Sequence, residues 1–285
     1  MKATDLYNKL ERDFVTSALS EYSWFDHMAG IEKYICNNFK QRNMVLLCDF
    51  TSEINSVYTA VFPSDSVLTK ILNDNVSDSM VFLHHPAVWD TSKDPDNAFY
   101  QINVNLLEAL KERRISLFNF HVPLDHFGVY ATSKTLAERL GISIDGTFAE
   151  YYGAQCGVIG TTDCKNVQEL SEKYAQTVGH KTKLYQYGES AISAEKVAVA
   201  AGGGTDTFVL SELVEKGIDV LITGVTLDNK YTRAAHEMAR ENAINILGGT
   251  HYSSEKFACM EVCKYFDGLG LPATFVEDAP CFEDM

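Results

Sequence analysis

Five of the eight histidines in this 285-residue chain fall in three short segments, each following an apolar run that reads as a β-strand. In the first, Val81-Phe82-Leu83-His84-His85-Pro86, the proline forces His85 into extended backbone. Neighbouring side chains of an extended chain point to opposite sides, so His84 and His85 serve one centre only if it is wide, such as a metal pair. Taken alone, such a pair is equally satisfied by hydrogen bonds to carbonyls. The second segment, Leu117-Phe118-Asn119-Phe120-His121-Val122-Pro123-Leu124-Asp125-His126, runs from a strand into a loop, since Pro123 breaks any helix. Strand ends of this kind are where open α/β sheets place ligands. The third is Gly248-Gly249-Thr250-His251-Tyr252-Ser253-Ser254-Glu255. With a helix starting near Ser253, Glu255 lies in its first turn, where a carboxylate also suits ordinary capping and the helix dipole.

Pooled, the segments offer His84, His85, His121, Asp125, His251 and Glu255, with no thiolate among them. Four imidazoles and two carboxylates exceed the needs of one tetrahedral zinc. They suit two divalent ions about 3.5 to 4 Å apart, bridged by carboxylate and hydroxide. Such a pair lowers the pKa of bridging water and makes a nucleophile at neutral pH. His121 or His126 would then handle protons. The donor set accepts Zn, Mn, Fe, Co or Ni and does not choose among them.

The elements that must position these groups follow from periodicity. Residues 4 to 40 are helical in pattern, with Leu6, Leu10 and Phe14 and then Trp24, Phe25, Met28, Ile31 and Ile35 spaced by threes and fours. Strands are expected at 44–47, 57–62, 80–83 and 115–120, with helices at 64–73, 103–114 and 132–140. Alternation restarts with strands at 157–161, 182–187, 196–201, 220–223, 244–247 and 273–277, and helices at 166–178, 206–216, 229–242 and 253–267. This order favours sheets covered by helices, an α/β class. Periodicity is weakest over 141–156, where a domain boundary is placed.

Composition narrows the function. Thirty-nine acidic against 24 basic residues give a formal charge of -15, which repels a phosphate backbone and argues against nucleic acid as the main partner. No apolar stretch reaches the ~18 residues of a spanning helix, and the start lacks a signal-peptide core, so a cytoplasmic protein is expected. Seven cysteines without a CxxC pair argue against a disulfide framework or zinc ribbon. Cys259 and Cys263 share a helix face among apolar neighbours and read as core.

The order His-His-Pro after a strand, His121-x-x-x-Asp125 in a strand-end loop, and Gly-Gly-x-His-x-x-x-Glu opening the last long helix resembles the NGG-one-interacting-factor family. Its members are often named GTP cyclohydrolase I type-two homologues. The resemblance spans about residues 55 to 275 and includes Ala198-Val199-Ala200-Ala201-Gly202-Gly203-Gly204 and Asp219-Val220-Leu221-Ile222-Thr223-Gly224. It implies two α/β domains, with mixed sheets flanked by helices and a dinuclear metal site in the cleft between them. The first would comprise residues 1–130 plus 251–285, with 131–250 inserted as the second. Carried over by position, the metal ligands are His84, His85, Asp125, His251 and Glu255, with Glu255 as the bridge and His121 beside the pair. The resemblance also implies a homo-oligomer, a ring-shaped hexamer, and a nucleotide-like substrate. Phe62 and Val225 stand where the family commonly has acidic residues.

Three other readings bear on function. His121-x-Pro123-x-Asp125-His126 misses the metallo-β-lactamase signature, since proline occupies an essential ligand position. Gly202-Gly203-Gly204-Thr205 between a strand and a helix can turn the chain tightly or cradle a phosphate or other substrate group on backbone amides. It matches neither the dinucleotide nor the Walker pattern. The whole favours a metal-dependent hydrolase acting on a nucleotide-like or other small substrate. The alternative is a non-catalytic metal-binding scaffold or metal-handling protein that works through protein partners.

Overall fold

The computed structural model describes residues 1–285. The first part of the chain contains α1 (Ala3–Phe14), α2 (Asn37–Arg42), β1 (Val45–Cys48), β2 (Ser56–Ala60), α3 (Asp65–Asn73), β3 (Ser79–Leu83) and the short strands β4 (Val88–Trp89) and β5 (Phe99–Tyr100). It continues with α4 (Val104–Glu112), β6 (Ile115–Asn119), α5 (Val122–Asp125) and α6 (Thr132–Arg139). Next come β7 (Ser143–Tyr151), β8 (Ala154–Thr161), α7 (Val167–Val178), β9 (Lys183–Tyr185), β10 (Lys196–Ala200), α8 (Thr207–Lys216) and β11 (Val220–Thr223). The chain ends with α9 (Arg233–Glu241), β12 (Asn245–Gly248), α10 (His251–Gly268) and β13 (Ala273–Phe275).

These strands make two mixed sheets, ordered β1-β6-β3-β2-β13 and β7-β8-β10-β11-β12-β9. In the first, β6, β3, β2 and β13 run parallel, and β1 closes the edge antiparallel. Alternation along the strands builds two cores, as the period of two requires. Tyr58, Ala60, Val81 and Leu83 face α3 and α4 with Trp24, Met28 and Ile31, while Val57, Met80 and Phe82 face α1 and α10. In the second sheet, Val197, Val199, Val220 and Ile222 pack under α6 and α7, and Ala198, Ala200 and Leu221 pack under α8 and α9. Each fully buried Phe, Leu, Ile or Val contributes about 1.5–3 kcal/mol. Helix α10 serves both sheets: Ala258, Val262 and Phe266 join the first core, and Phe257 joins a core of the second. No helix is long and apolar enough to cross a membrane. All seven cysteines are free, with Cys259 buried against the first sheet.

Four local expectations are corrected. Pro123 does not keep its segment a loop but sits in the first turn of the short helix α5, where a missing N–H costs nothing. The helical pattern over 4–40 resolves into α1, a single 3-10 turn at Phe25–His27 and the short α2. Between them an irregular stretch buries Trp24, Met28 and Ile31 as a plug on the first core. The weakly periodic 141–156 carries regular structure: it holds most of the β7–β8 hairpin, closed by Tyr152 and Gly153 at φ +49° and +81°. Both turn residues are left-handed, as a two-residue hairpin loop demands. An added Cβ at Gly153 would strike the Ala18 carbonyl. Finally, α10 begins at His251, capped by Thr250, whose Oγ1 accepts from the Ser253 N–H at 3.1 Å.

Candidate metal centre

Parallel pairing places the histidine segments side by side. Strands β3 and β6 are neighbours in register, Phe82 opposite Phe118 and Leu83 opposite Asn119, so His84-His85 and Phe120-His121 leave the sheet side by side, with the His85 and His121 ring centroids 4.8 Å apart. The chain bends at His84, and both its N–H and that of His85 still donate to the end of β2, to Ala60 O at 3.1 Å and Val61 O at 2.9 Å. The bend undoes the alternation of extended chain, bringing the His84 and His85 ring centroids to 4.3 Å. From the second sheet, β12 delivers α10, whose His251 and Glu255, one turn apart on the same face, point at the same place.

Glu255 lies at the middle. Its Oε2 is 3.0 Å from His85 Nε2, and its Oε1 is 3.4 Å from His84 Nε2 and 3.3 Å from His251 Nε2. Asp125 Oδ1 stands 3.6 Å from His84 Nε2, and its Oδ2 3.7 Å from His121 Nε2. Three groups each keep their donor atoms within 4.8 Å: His84, His85 and His121; His85, His251 and Glu255; His84, Asp125 and Glu255. All six expected side chains are therefore together, and His84, His85, His251 and Glu255 are buried.

The cluster fits divalent ions on its own chemistry. Ligand bonds near 2.1 Å set donor–donor edges of about 3.4 Å in a tetrahedron, the spacing found around Glu255. The Nδ1 atoms of His84 and His121 meet Phe120 O at 3.0 Å and Glu21 Oε1 at 2.8 Å, which leaves each Nε2 turned to the cluster. His84 Nε2 is buried without any hydrogen-bond partner in the protein. A carboxylate or carbonyl behind an imidazole is the usual support of a metal-binding histidine.

Electrostatics in the bare protein reflect the crowding. Burial opposes charge on Glu255, yet His251, His84 and His85 together outweigh it and hold the carboxyl well below its ordinary value. Burial likewise opposes protonation of His84, but Glu255 and Asp125 raise it to about 9. For His85, burial dominates, with His84 and His251 adding to it, and the ring is held neutral, well below its ordinary value. Burial raises Asp125 against the pull of His84 and His121.

Side chains outside the three segments complete the centre. Glu21, from the irregular N-terminal stretch, is fully enclosed: besides His121 Nδ1 it accepts from the Val122 N–H at 2.9 Å. Asp284 accepts from the His251 N–H at 2.8 Å, from Trp89 Nε1 at 2.9 Å and from Thr91 Oγ1 at 2.8 Å. Its carbonyl accepts from the Thr226 and Leu227 N–H groups. Thr132 Oγ1 donates to Asp125 Oδ1 at 2.7 Å. Phe62 stacks on His85 at 4.6 Å, so an aromatic face meets the imidazole.

The glycine turn also reaches the centre. Gly202, at φ +70°, has a position for Cβ that would overlap Glu255 Oε1. Glycine is required there for the close approach of backbone to carboxylate. Gly203 and Gly204 line a cavity in front of the cluster. Thr205 is buried, and its Oγ1 donates to Val225 O at 2.7 Å. His126 stands outside the cluster, its Nδ1 accepting from the Gln155 N–H at 3.4 Å.

Known proteins share this arrangement of sheets. A solved structure described as protein ybgI, of unknown function, superposes with a TM-score of 0.75 at 20% identity, covering 99% of this chain and 100% of that one. Reduced HcgD from Methanocaldococcus jannaschii gives 0.67 at 22% identity over 98% of both chains. In sequence, a GTP cyclohydrolase 1 type 2 homolog of Borreliella burgdorferi is 26% identical over 227 residues, 80% of this chain and 84% of that protein. Residues 34–278 match the family described as Duf34/NIF3 (NGG1p interacting factor 3).

Proposed function

Since the chain belongs to the Duf34/NIF3 (NGG1p interacting factor 3) family, we propose that it is a dinuclear metal-dependent hydrolase of a small substrate. The observation that carries this reading is the overlap of three donor groups on Glu255, His84 and His85, with two further imidazoles and Asp125 on the flanks. His84, His85, His121, Asp125, His251 and Glu255 would hold the ions, with Glu255 shared between them. Bound divalent ions supply Lewis-acid activation of water and of an electrophilic carbon or phosphorus.

The chain's own groups do the rest. Asp284 and Thr250 fix the start of α10, and with it the direction of His251 and Glu255. Phe62, Trp24 and Trp89 pack around the imidazoles, which keeps bulk water from their flanks. Glu21 holds His121 at Nδ1, which leaves its Nε2 to face the ions. Residues 131–250 are read as a domain inserted into the first, supported by the return of β13 to the first sheet beside β2. A hexameric ring belongs to the same reading and is tested by sedimentation.

The direct test is turnover of phosphoesters, nucleotides and amides by protein loaded with its native metal, beside Glu255→Gln. Turnover that disappears in the variant supports the hydrolase. Full metal loading with no turnover across the panel favours a metal-handling scaffold instead.

A further inference from the structure

In front of the cluster lies a cavity of about 310 Å³, at the small end of ligand pockets. Two groups of aromatic side chains line it. On the cluster side Trp24, Phe99 and Trp89 form a continuous edge-to-face row, with centroids at 5.0 and 4.7 Å. Tyr151 and Phe208 also line it, nearly parallel at 6.3 Å, and Phe208 is exposed. No lysine or arginine lines the cavity. Three helix N-termini reach it, each with a carboxylate beside it: in α8 Asp206 Oδ1 accepts from the Phe208 N–H at 3.2 Å, in α10 Asp284 accepts from the His251 N–H at 2.8 Å, and in α6 Asp125 accepts from the Thr132 hydroxyl at 2.7 Å. A phosphate there would meet a carboxylate of the same sign instead of free amides.

We propose that this cavity takes a small planar heterocycle without phosphate, and that it discriminates against nucleotides. The inference rests on the hydrolase reading and names the substrate class of its site. Aromatic faces and edges around the cavity suit contact with a planar ring, and Asp206 offers an acceptor to ring N–H groups. A triphosphate carries several negative charges. Asp125, Glu255 and Asp206 already offset much of what bound ions would supply, and no side-chain cation is at hand.

The molecule carries its own reporter. Its only two tryptophans, Trp24 and Trp89, both line the cavity, so their fluorescence reads its occupancy without background. The experiment titrates metal-loaded protein with guanine, guanosine, GMP and GTP, and with the matching adenine series, confirming each affinity by calorimetry. The expected result is saturable binding of base and nucleoside, with affinity falling at each added phosphate, at least about tenfold from nucleoside to triphosphate. Phe208→Ala should weaken the base several-fold, while Asp206→Asn, which keeps the helix cap, should raise affinity for the monophosphate. Affinity that rises with phosphate number, or no saturable binding by base or nucleoside, overturns the proposal. Binding as expected without turnover leaves the substrate class standing and removes only the hydrolase reading.

Discussion

Replacing Gly202 with alanine adds one methyl group beside the candidate metal centre and changes none of its six donor side chains. The new Cβ would lie 3.1 Å from Glu255 Cδ, 3.2 Å from His251 Nε2 and closer still to Glu255 Oε1, inside the 3.0 Å that real Cβ atoms essentially never breach. Carbon contacts settle near 3.5–4.0 Å, so the carboxylate must retreat by roughly 1 Å. Glu255 is buried with histidines on three sides, and a metal ligand tolerates only about 0.2 Å of error. The expected loss of metal affinity is at least about 100-fold, the upper end of what losing a supporting partner costs. The positive φ adds a separate fold penalty of about 1–2 kcal/mol for alanine. Gly203→Ala is the control, because a Cβ there meets nothing within 4 Å and no unusual φ is required. Competition with a fluorescent chelator, alongside thermal melts, reads both effects. Gly202→Ala that binds metal as tightly as Gly203→Ala would refute the placement of Glu255 at the centre.

Other expectations follow from the same geometry. Glu21→Gln should lower metal affinity by about 10- to 100-fold with little change in the melt of the metal-free protein, as measured by competition titration. Asp284→Asn leaves buried donors on Trp89, Thr91 and His251 short of an acceptor, and should cost about 1–3 kcal/mol in urea unfolding. Adding metal at about 100 times its dissociation constant should stabilise the protein by about 2.7 kcal/mol, a shift of several degrees in Tm that Glu255→Gln loses. Away from the centre, burial lowers the pKa of His236, whose Nε2 donates to Thr226 O at 2.9 Å and whose Nδ1 accepts from Tyr187 Oη at 3.0 Å. A histidine kept neutral by the fold gives stability that is present above about pH 6.5 and is lost as the pH falls toward the lowered native value. His236→Gln should therefore flatten part of the decline in Tm between about pH 7 and 5; an unchanged slope would count against it.

The three histidine segments were legible because each is local: a strand with its apolar run, then ligand types within five residues. Parallel pairing of β3 with β6 then makes neighbours of His85 and His121. Glu21 was not legible, since it meets His121 across 100 residues from a stretch whose buried Trp24, Met28 and Ile31 mimic helical spacing. Asp284 is hidden in the same way, reaching the His251 N–H from 33 residues downstream. The β7–β8 hairpin escaped because β7 is largely solvent-facing and lacks an apolar run. The start of α10 was misplaced because Thr250, Ser253 and Ser254 all have capping chemistry, and only the Thr250 contact selects among them. The close approach of Gly202 to the cluster shows only in three dimensions, where the turn after β10 meets Glu255.

Metal content per chain, read by elemental mass spectrometry on protein purified without chelator or immobilised nickel, tests the central claim most directly. About two ions per chain, falling sharply in Glu255→Gln and His251→Ala, is the result this account predicts. Protein that takes up no ion after reconstitution with zinc, manganese and iron would contradict it.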